Sequence, residues 1–125
     1  FKQIAQLGLG GKQGNGNQMM SWIHIDDFCE AVDFIIQLDN LSGSINVTAP
    51  EPLPNHSFMQ KLRNQLKVSI GIPSPKWLLE LACVPMQTET ELMLKSRFVI
   101  PERLLDAGFK FQYPSFDFAL PALLE

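Results

Sequence analysis

His24, Asp26 and Asp27 lie within four residues of one another and carry imidazole and carboxylate, the groups that most often ligate metals or relay protons. Their spacing favours a plainer task. His56 is the only other histidine, no H-x-x-x-H pair occurs, and both aspartates stand where a helix should start, so they read as capping residues and no metal ligand is assigned. For His24 two readings stay open: it lines a pocket, or it sits half-buried beside Trp22. Cys29 follows in the first helical turn, where a thiol can be activated as a nucleophile, but its neighbours Phe28 and Val32 favour a buried, inert thiol. Arg97 has the donor fork to clamp an anionic substrate, against a duller role as a helix C-terminal cation together with Lys95.

Serine hydrolase chemistry has no footing, because no G-x-S-x-G occurs and Ser21 falls on an expected strand. The segment Gly8–Gln18 holds five glycines, yet position 13 is Gln, which breaks G-x-G-x-x-G. It also follows a helix and precedes a strand, the reverse of the order that aims amides at a pyrophosphate. No catalytic residue is therefore assigned. Asn40, Asn46 and Asn55 each head an N-x-[ST] tripeptide, which matters only in a secreted protein.

The surrounding 125 residues are 46% hydrophobic and 18% charged, with a net charge of −3, the balance of one soluble domain. Ten basic residues against thirteen acidic ones give no cationic footprint for nucleic acid or a membrane surface. The richest apolar run, Trp77 to Pro85, is broken by Glu80 and falls far short of the roughly 20 residues that span a bilayer. Two cysteines, Cys29 and Cys83, are too few for a disulfide scaffold and read as reduced thiols, which implies the cytoplasm. The chain opens on Phe1 with no signal-like segment, and an internal or trimmed piece is expected.

Along the chain, residues 1–7 read as the last turns of a helix ending at glycines, and Gly8–Gln18 as a flexible surface loop. Met20–Ile25 reads as a short strand. A helix capped by Asp27, with Glu30 as capping-box partner, carries an apolar stripe of Phe28, Ala31, Val32, Ile35 and Leu38 to an end near Asp39-Asn40. Ile45–Thr48 reads as a second, buried strand joined by a right-handed crossover. Ala49–Pro54, with three prolines, is an extended connector. Beyond it come a helix capped by Asn55 or Ser57 and carrying Phe58, Met59, Leu62 and Leu66, one from Ser74 through Leu81, and one from Thr88 to Lys95. A short helix follows between Pro101 and Gly108, then a strand over Phe109–Tyr113 and a last helix capped by Ser115.

The run Gln18-Met-Met-Ser-Trp-Ile-His-Ile-Asp-Asp27, with Ser42-Gly-Ser-Ile-Asn-Val-Thr-Ala-Pro-Glu-Pro52, resembles the C-terminal portion of an atypical group of extended short-chain dehydrogenase/reductases. These are the NAD-dependent epimerase family, or nucleoside-diphosphate-sugar epimerase-like proteins. Arg97-Phe-Val-Ile-Pro101, Leu104-Leu-Asp-Ala-Gly-Phe-Lys-Phe111 and Tyr113-Pro114 are similar to the small C-terminal module of unknown function that closes them. The resemblance covers residues 14–124. It implies an α/β fold, the mostly helical C-terminal portion of a Rossmann-type enzyme with a few short strands. Residues 1–49 would end the epimerase-like domain and residues 50–125 form the small helical domain.

In that family an N-terminal Rossmann domain binds NAD or NADP and the C-terminal part completes the substrate pocket. The resemblance therefore implies that this chain's partners are its own missing Rossmann domain and an unidentified small-molecule substrate, with the cofactor held by the absent domain. Tyr-x-x-x-Lys, which serves hydride chemistry in the superfamily, has no match: Tyr113 is the sole tyrosine and Asp117 stands four residues later. Catalytic silence and no cofactor binding are expected of these residues alone. The resemblance puts Gln18, Ser21, Trp22, His24 and Arg97 forward as substrate-binding residues. No arginine precedes Trp22 to grip a nucleotide-sugar diphosphate, so a less charged ligand fits as well. The alternative is a non-catalytic interaction or dimerisation module, in which an uncovered apolar face and strand edge pack on another protein or form a homodimer. A third reading is a small independent enzyme using Cys29 or His24.

Overall fold

The computed structural model describes residues 1–75, 77 and 94–124. Most of the helices expected from Ser74 through Leu81 and from Thr88 to Lys95, together with Cys83, lies outside the described residues. The chain divides into two compact units that interleave along the sequence: Phe1–Met20 with Leu53–Arg97, and Ser21–Pro52 with Phe98–Glu125.

In the first unit α1 (Lys2–Ile4) continues into a π-type turn over Ala5–Leu9, broken by Gly8 at φ 77°, as the glycines after residue 7 lead one to expect. β1 (Met19–Met20) pairs antiparallel with β2 (Leu53–Pro54), placing Met19 opposite Pro54 and Met20 opposite Leu53. The ladder is short because Pro52 and Pro54 have no amide to donate. Pro54 then precedes α3 (Asn55–Gln65), which buries Phe58, Met59 and Leu62 on one face. Asn55 is not a cap. It lies inside the first turn, fully buried, and its side chain is turned to Gln13, accepting the Gln13 N–H at 2.8 Å and donating to Gln13 Oε1 at 3.1 Å.

The glycine-rich segment is not the surface loop its composition suggests. Gly10, Gly11, Gln13, Gly16 and Gln18 are buried, and the backbone runs beside Ile72–Ser74 in a ladder-like exchange. Gly11 N–H donates to Ile72 O, Ile72 N–H to Gly8 O, Ser74 N–H to Lys12 O and Gly14 N–H to Ser74 O, with Gln13 bridged in parallel to Ser74. Glycine is required by this approach: a Cβ on Gly11 would sit 2.5 Å from the Ile72 carbonyl carbon.

The second unit holds α2 (Ile25–Gln37), α4 (Glu102–Asp106) and α5 (Phe116–Leu124); Ala31 of α2, Leu104 of α4 and Phe109 form a core, with Phe34, Ile35, Ile45, Val47 and Phe111 packed against it. α4 ends where Gly108, at φ 89°, lets Phe109 N–H reach Leu104 O, so the glycine that stops the helix also turns Phe109 into the core. α5 buries Phe116, Ala119 and Leu120 but leaves Leu123 exposed.

Several expected elements change. Of the first expected strand, Met20–Ile25, only Met20 joins a ladder, together with Met19 before it, and the helix after it starts at Ile25 rather than after Asp27. Neither Ile45–Thr48 nor Phe109–Tyr113 forms a strand, so the expected crossover between strands is not built among the described residues. The amides of Gln112 and Tyr113 go to a carboxylate instead of a neighbouring strand. The stripe on α2 also divides: Ala31 is buried and Ile35 half-buried, whereas Phe28 and Val32 are exposed along with Ile25 and Ile36. Cys29 is exposed on this outer side, not buried. Among the described residues no helix is long and apolar enough to cross a membrane.

Candidate functional site

The segment Ser21–Asp27 carries most of the singled-out residues, and the fold of the second unit uses each one. The Ser21 hydroxyl accepts the Val99 N–H at 3.0 Å. Trp22 is fixed at three points: its indole N–H donates to Glu51 O at 2.8 Å, its carbonyl accepts the Ala49 N–H and the Thr48 hydroxyl, and its ring meets Phe116 edge-on at 5.2 Å. Ser21 and Trp22 share the wall of an open cleft of about 330 Å³ with Ile23, Asn46, Thr48 and Val99 among others. A neighbouring cleft of about 380 Å³ is lined by Ser44, Phe98, Ile100 and Arg103.

His24 takes the capping role assigned by sequence to Asp27. Its Nδ1 accepts the Asp26 N–H at 3.2 Å. The same Nδ1 lies 3.5 Å from Asp26 Oδ2. The ring is 4% exposed and stacks on Tyr113 with centroids 3.9 Å apart. Nε2 is buried with no hydrogen-bond partner among the described residues. His24 is thus buried rather than half-buried, and its ring partner is Tyr113 rather than Trp22.

Asp27 is fully buried and accepts the Gln112 N–H at 2.7 Å and the Tyr113 N–H at 3.0 Å, one on each carboxylate oxygen. Glu30 accepts from the Gln112 side-chain amide rather than closing a capping box. Sequence reasoning saw the two acids but not this task, because the partners stand 85 and 86 residues away and offer only backbone amides. Arg103 was also missed: its guanidinium donates to Ser42 O and Ser44 O, closing the turn before Ile45.

Gln18 and Arg97 belong to the first unit. Gln18 is 6% exposed; its side-chain amide donates to Gln13 O, and its carbonyl accepts the Asn55 N–H. Arg97 is exposed and its backbone N–H donates to Met19 O. Among the described residues no three His, Cys, Asp or Glu side chains converge as metal ligands.

A family model described as a domain of unknown function, DUF1731, matches residues 74–123. The chain is 30% identical over 115 residues to the epimerase family protein YfhF of Bacillus subtilis, and 35% identical over 120 residues to the epimerase family protein SERP0438 of Staphylococcus epidermidis. These alignments take in 92% and 96% of this chain but only 37% and 39% of the relatives. Among solved structures it is similar to the human epimerase family protein SDR39U1 (isoform 2), crystallised with NADPH, at a TM-score of 0.83 and 28% identity, over 96% of this chain and 40% of the human one. A nucleoside-diphosphate sugar epimerase from Corynebacterium glutamicum matches with a TM-score of 0.66 and 25% identity, over 94% and 22% of the two chains.

Together these likenesses support membership in the NAD-dependent epimerase, short-chain dehydrogenase-like superfamily. The fold is the expected one, α/β and mostly helical with a small two-stranded sheet. This chain's glycine segment does not fit a dinucleotide phosphate. The amides of Gly11, Gln13, Gly14 and Gly16 already donate to Ile72 O, Asn55 Oδ1, Ser74 O and Gln13 O, leaving none of these donors to cradle an anion.

Proposed function

We propose that this chain is the substrate-pocket portion of an NAD(P)-dependent epimerase/reductase-like protein, whose dinucleotide site and proton-transferring residues belong to further polypeptide. Residues 1–49 would complete the epimerase-like domain and 50–125 form its small helical module, a division by descent that the contact-based units cut across. The observation that carries the reading is the asymmetry of coverage: 96% of this chain follows the backbone of a protein solved with NADPH, yet it accounts for 40% of that protein. The engaged amides of the glycine segment and the absence of Tyr-x-x-x-Lys support the same division. On this reading Gln18, Ser21, Trp22, His24 and Arg97 are candidate contacts to an unidentified small-molecule substrate, and the protein is cytoplasmic.

Calorimetric titration with NADPH and NADH tests the division. The full product of the gene is expected to bind and this chain alone is not; tight dinucleotide binding by the chain overturns it. Trp22→Ala and His24→Ala in the full product are expected to raise KM and leave cofactor affinity in place, whereas unchanged turnover by both removes them from the site. A non-catalytic interaction module is the second reading, favoured by the exposed stripe of Ile25, Phe28, Val32 and Ile36 on α2.

A further inference from the structure

The end of α3 gathers positive charge in a way the helix itself does not need. Arg63, in its last turn, and Lys67, just beyond it, line an open cleft of about 370 Å³ with Asn64, Val68 and Ser69. Among the described residues no carboxylate pairs with either cation, and the side chains of Asn64, Lys67 and Ser69 make no hydrogen bond. The guanidinium is held in place: it donates to Gly10 O and lies where a Cβ on Gly71 would stand. Lys67 sits at φ 57° and is, among the described residues, the only one besides glycine in the left-handed region; Gly8, Gly14, Gly16, Gly43 and Gly108 fill the other such positions. Glycine is the usual residue just after a helix end, and a lysine in that conformation costs energy.

We propose that this cleft binds a phosphate group, as free phosphate or as the monoester of a small molecule. The site shares no residue with the candidate substrate contacts and does not depend on the proposed function. Two cations facing one opening without a carboxylate repel each other, and an anion between them turns the repulsion into attraction. A phosphate group accepts from several donors at once, which suits a guanidinium fork, an ammonium, an amide and a hydroxyl around one opening. A carboxylate, with two oxygens and one charge, satisfies fewer of them. A helix C-terminus favours cations, and that alone would account for Arg63. It does not account for Lys67, because a lysine one turn earlier would serve the dipole without the left-handed backbone. The carbonyls that would oppose an anion are also engaged: those of Leu62, Arg63 and Asn64 accept from the N–H groups of Leu66, Val68 and Lys67.

The test is to titrate inorganic phosphate and, separately, glycerol phosphate into the isotope-labelled full product of the gene at constant ionic strength, following the amides of Asn64 and Lys67–Ser69 by NMR. Two charge-assisted hydrogen bonds give saturable shifts at these amides with a dissociation constant of about 1 mM. Lys67→Gly is expected to weaken binding at least about tenfold while the urea midpoint holds or rises, because glycine adopts this conformation freely, so the loss cannot be ascribed to unfolding. Arg63→Gln is expected to weaken binding by a similar factor. Tighter binding of the glycerol ester assigns the site to a phosphorylated small molecule, and binding of the inorganic ion at least as tight assigns it to free phosphate. A dissociation constant above about 20 mM for both, equal shifts with sodium chloride at the same ionic strength, or unchanged phosphate affinity in Lys67→Gly overturns the proposal.

Discussion

Each unit contains two extended segments lying side by side, and the two pairs behave in opposite ways. In the first, Gly8–Gly14 and Ile72–Ser74 exchange four backbone hydrogen bonds, although glycines and asparagines read as loop. In the second, Ser21–His24 and Ile45–Thr48 are β-branched and aromatic, read as strands, and leave the backbone of Ile23, Ile45, Asn46 and Val47 unpaired among the described residues. The difference teaches that pairing is decided by how closely two backbones can approach, and by which polar groups are buried between them, more than by the preferences of either segment. Gly11 permits contact that any Cβ would block, and the Gln13–Asn55 pair seals it from the side.

Three substitutions break or sharpen this contrast. Gly11→Val drives a branched side chain into the Ile72 backbone and is expected to destabilise the chain by about 3 kcal/mol, read as a lower midpoint in urea. Asn55→Ala strips the Gln13 backbone N–H of its acceptor in a fully buried position and is expected to lose about 2 kcal/mol by the same measurement. Asn46→Ala, on the open pair, removes an exposed side chain that makes no hydrogen bond among the described residues, so the midpoint should stay within about 0.5 kcal/mol of the parent. If Asn46→Ala cost as much as Asn55→Ala, the two pairs would not differ as described.

What the sequence made legible were features set by neighbours a few residues apart. The inner face of α3, the short helix closed by Gly108 and the buried Phe116, Ala119 and Leu120 of α5 all follow from local spacing, and all are present. Illegible were the features whose partners lie far along the chain. Asn55 looked like a cap until Gln13, 42 residues earlier, claimed its amide. The start of α2 was misjudged by three residues because an imidazole nitrogen, not a carboxylate, accepts the first free amide. The outer stripe of α2 was read as buried because periodicity reports that a face is apolar, not what covers it. In the candidate site, the segment was legible and the engagements of its members were not: Trp22, His24 and Asp27 each owe their position to residues more than 20 places away.

Asp27 carries one last implication. A single side chain fastens the opening of α2 to residues 112 and 113, so everything threaded between those points hangs as one long loop from a shared clasp. Lengthening such a loop adds little entropy cost, because closure grows only with the logarithm of length. Insertions at the Ser42-Gly43 turn should therefore be absorbed with the clasp intact, whereas one extra residue between His24 and Asp27, or between Gln112 and Tyr113, would throw its two halves out of register.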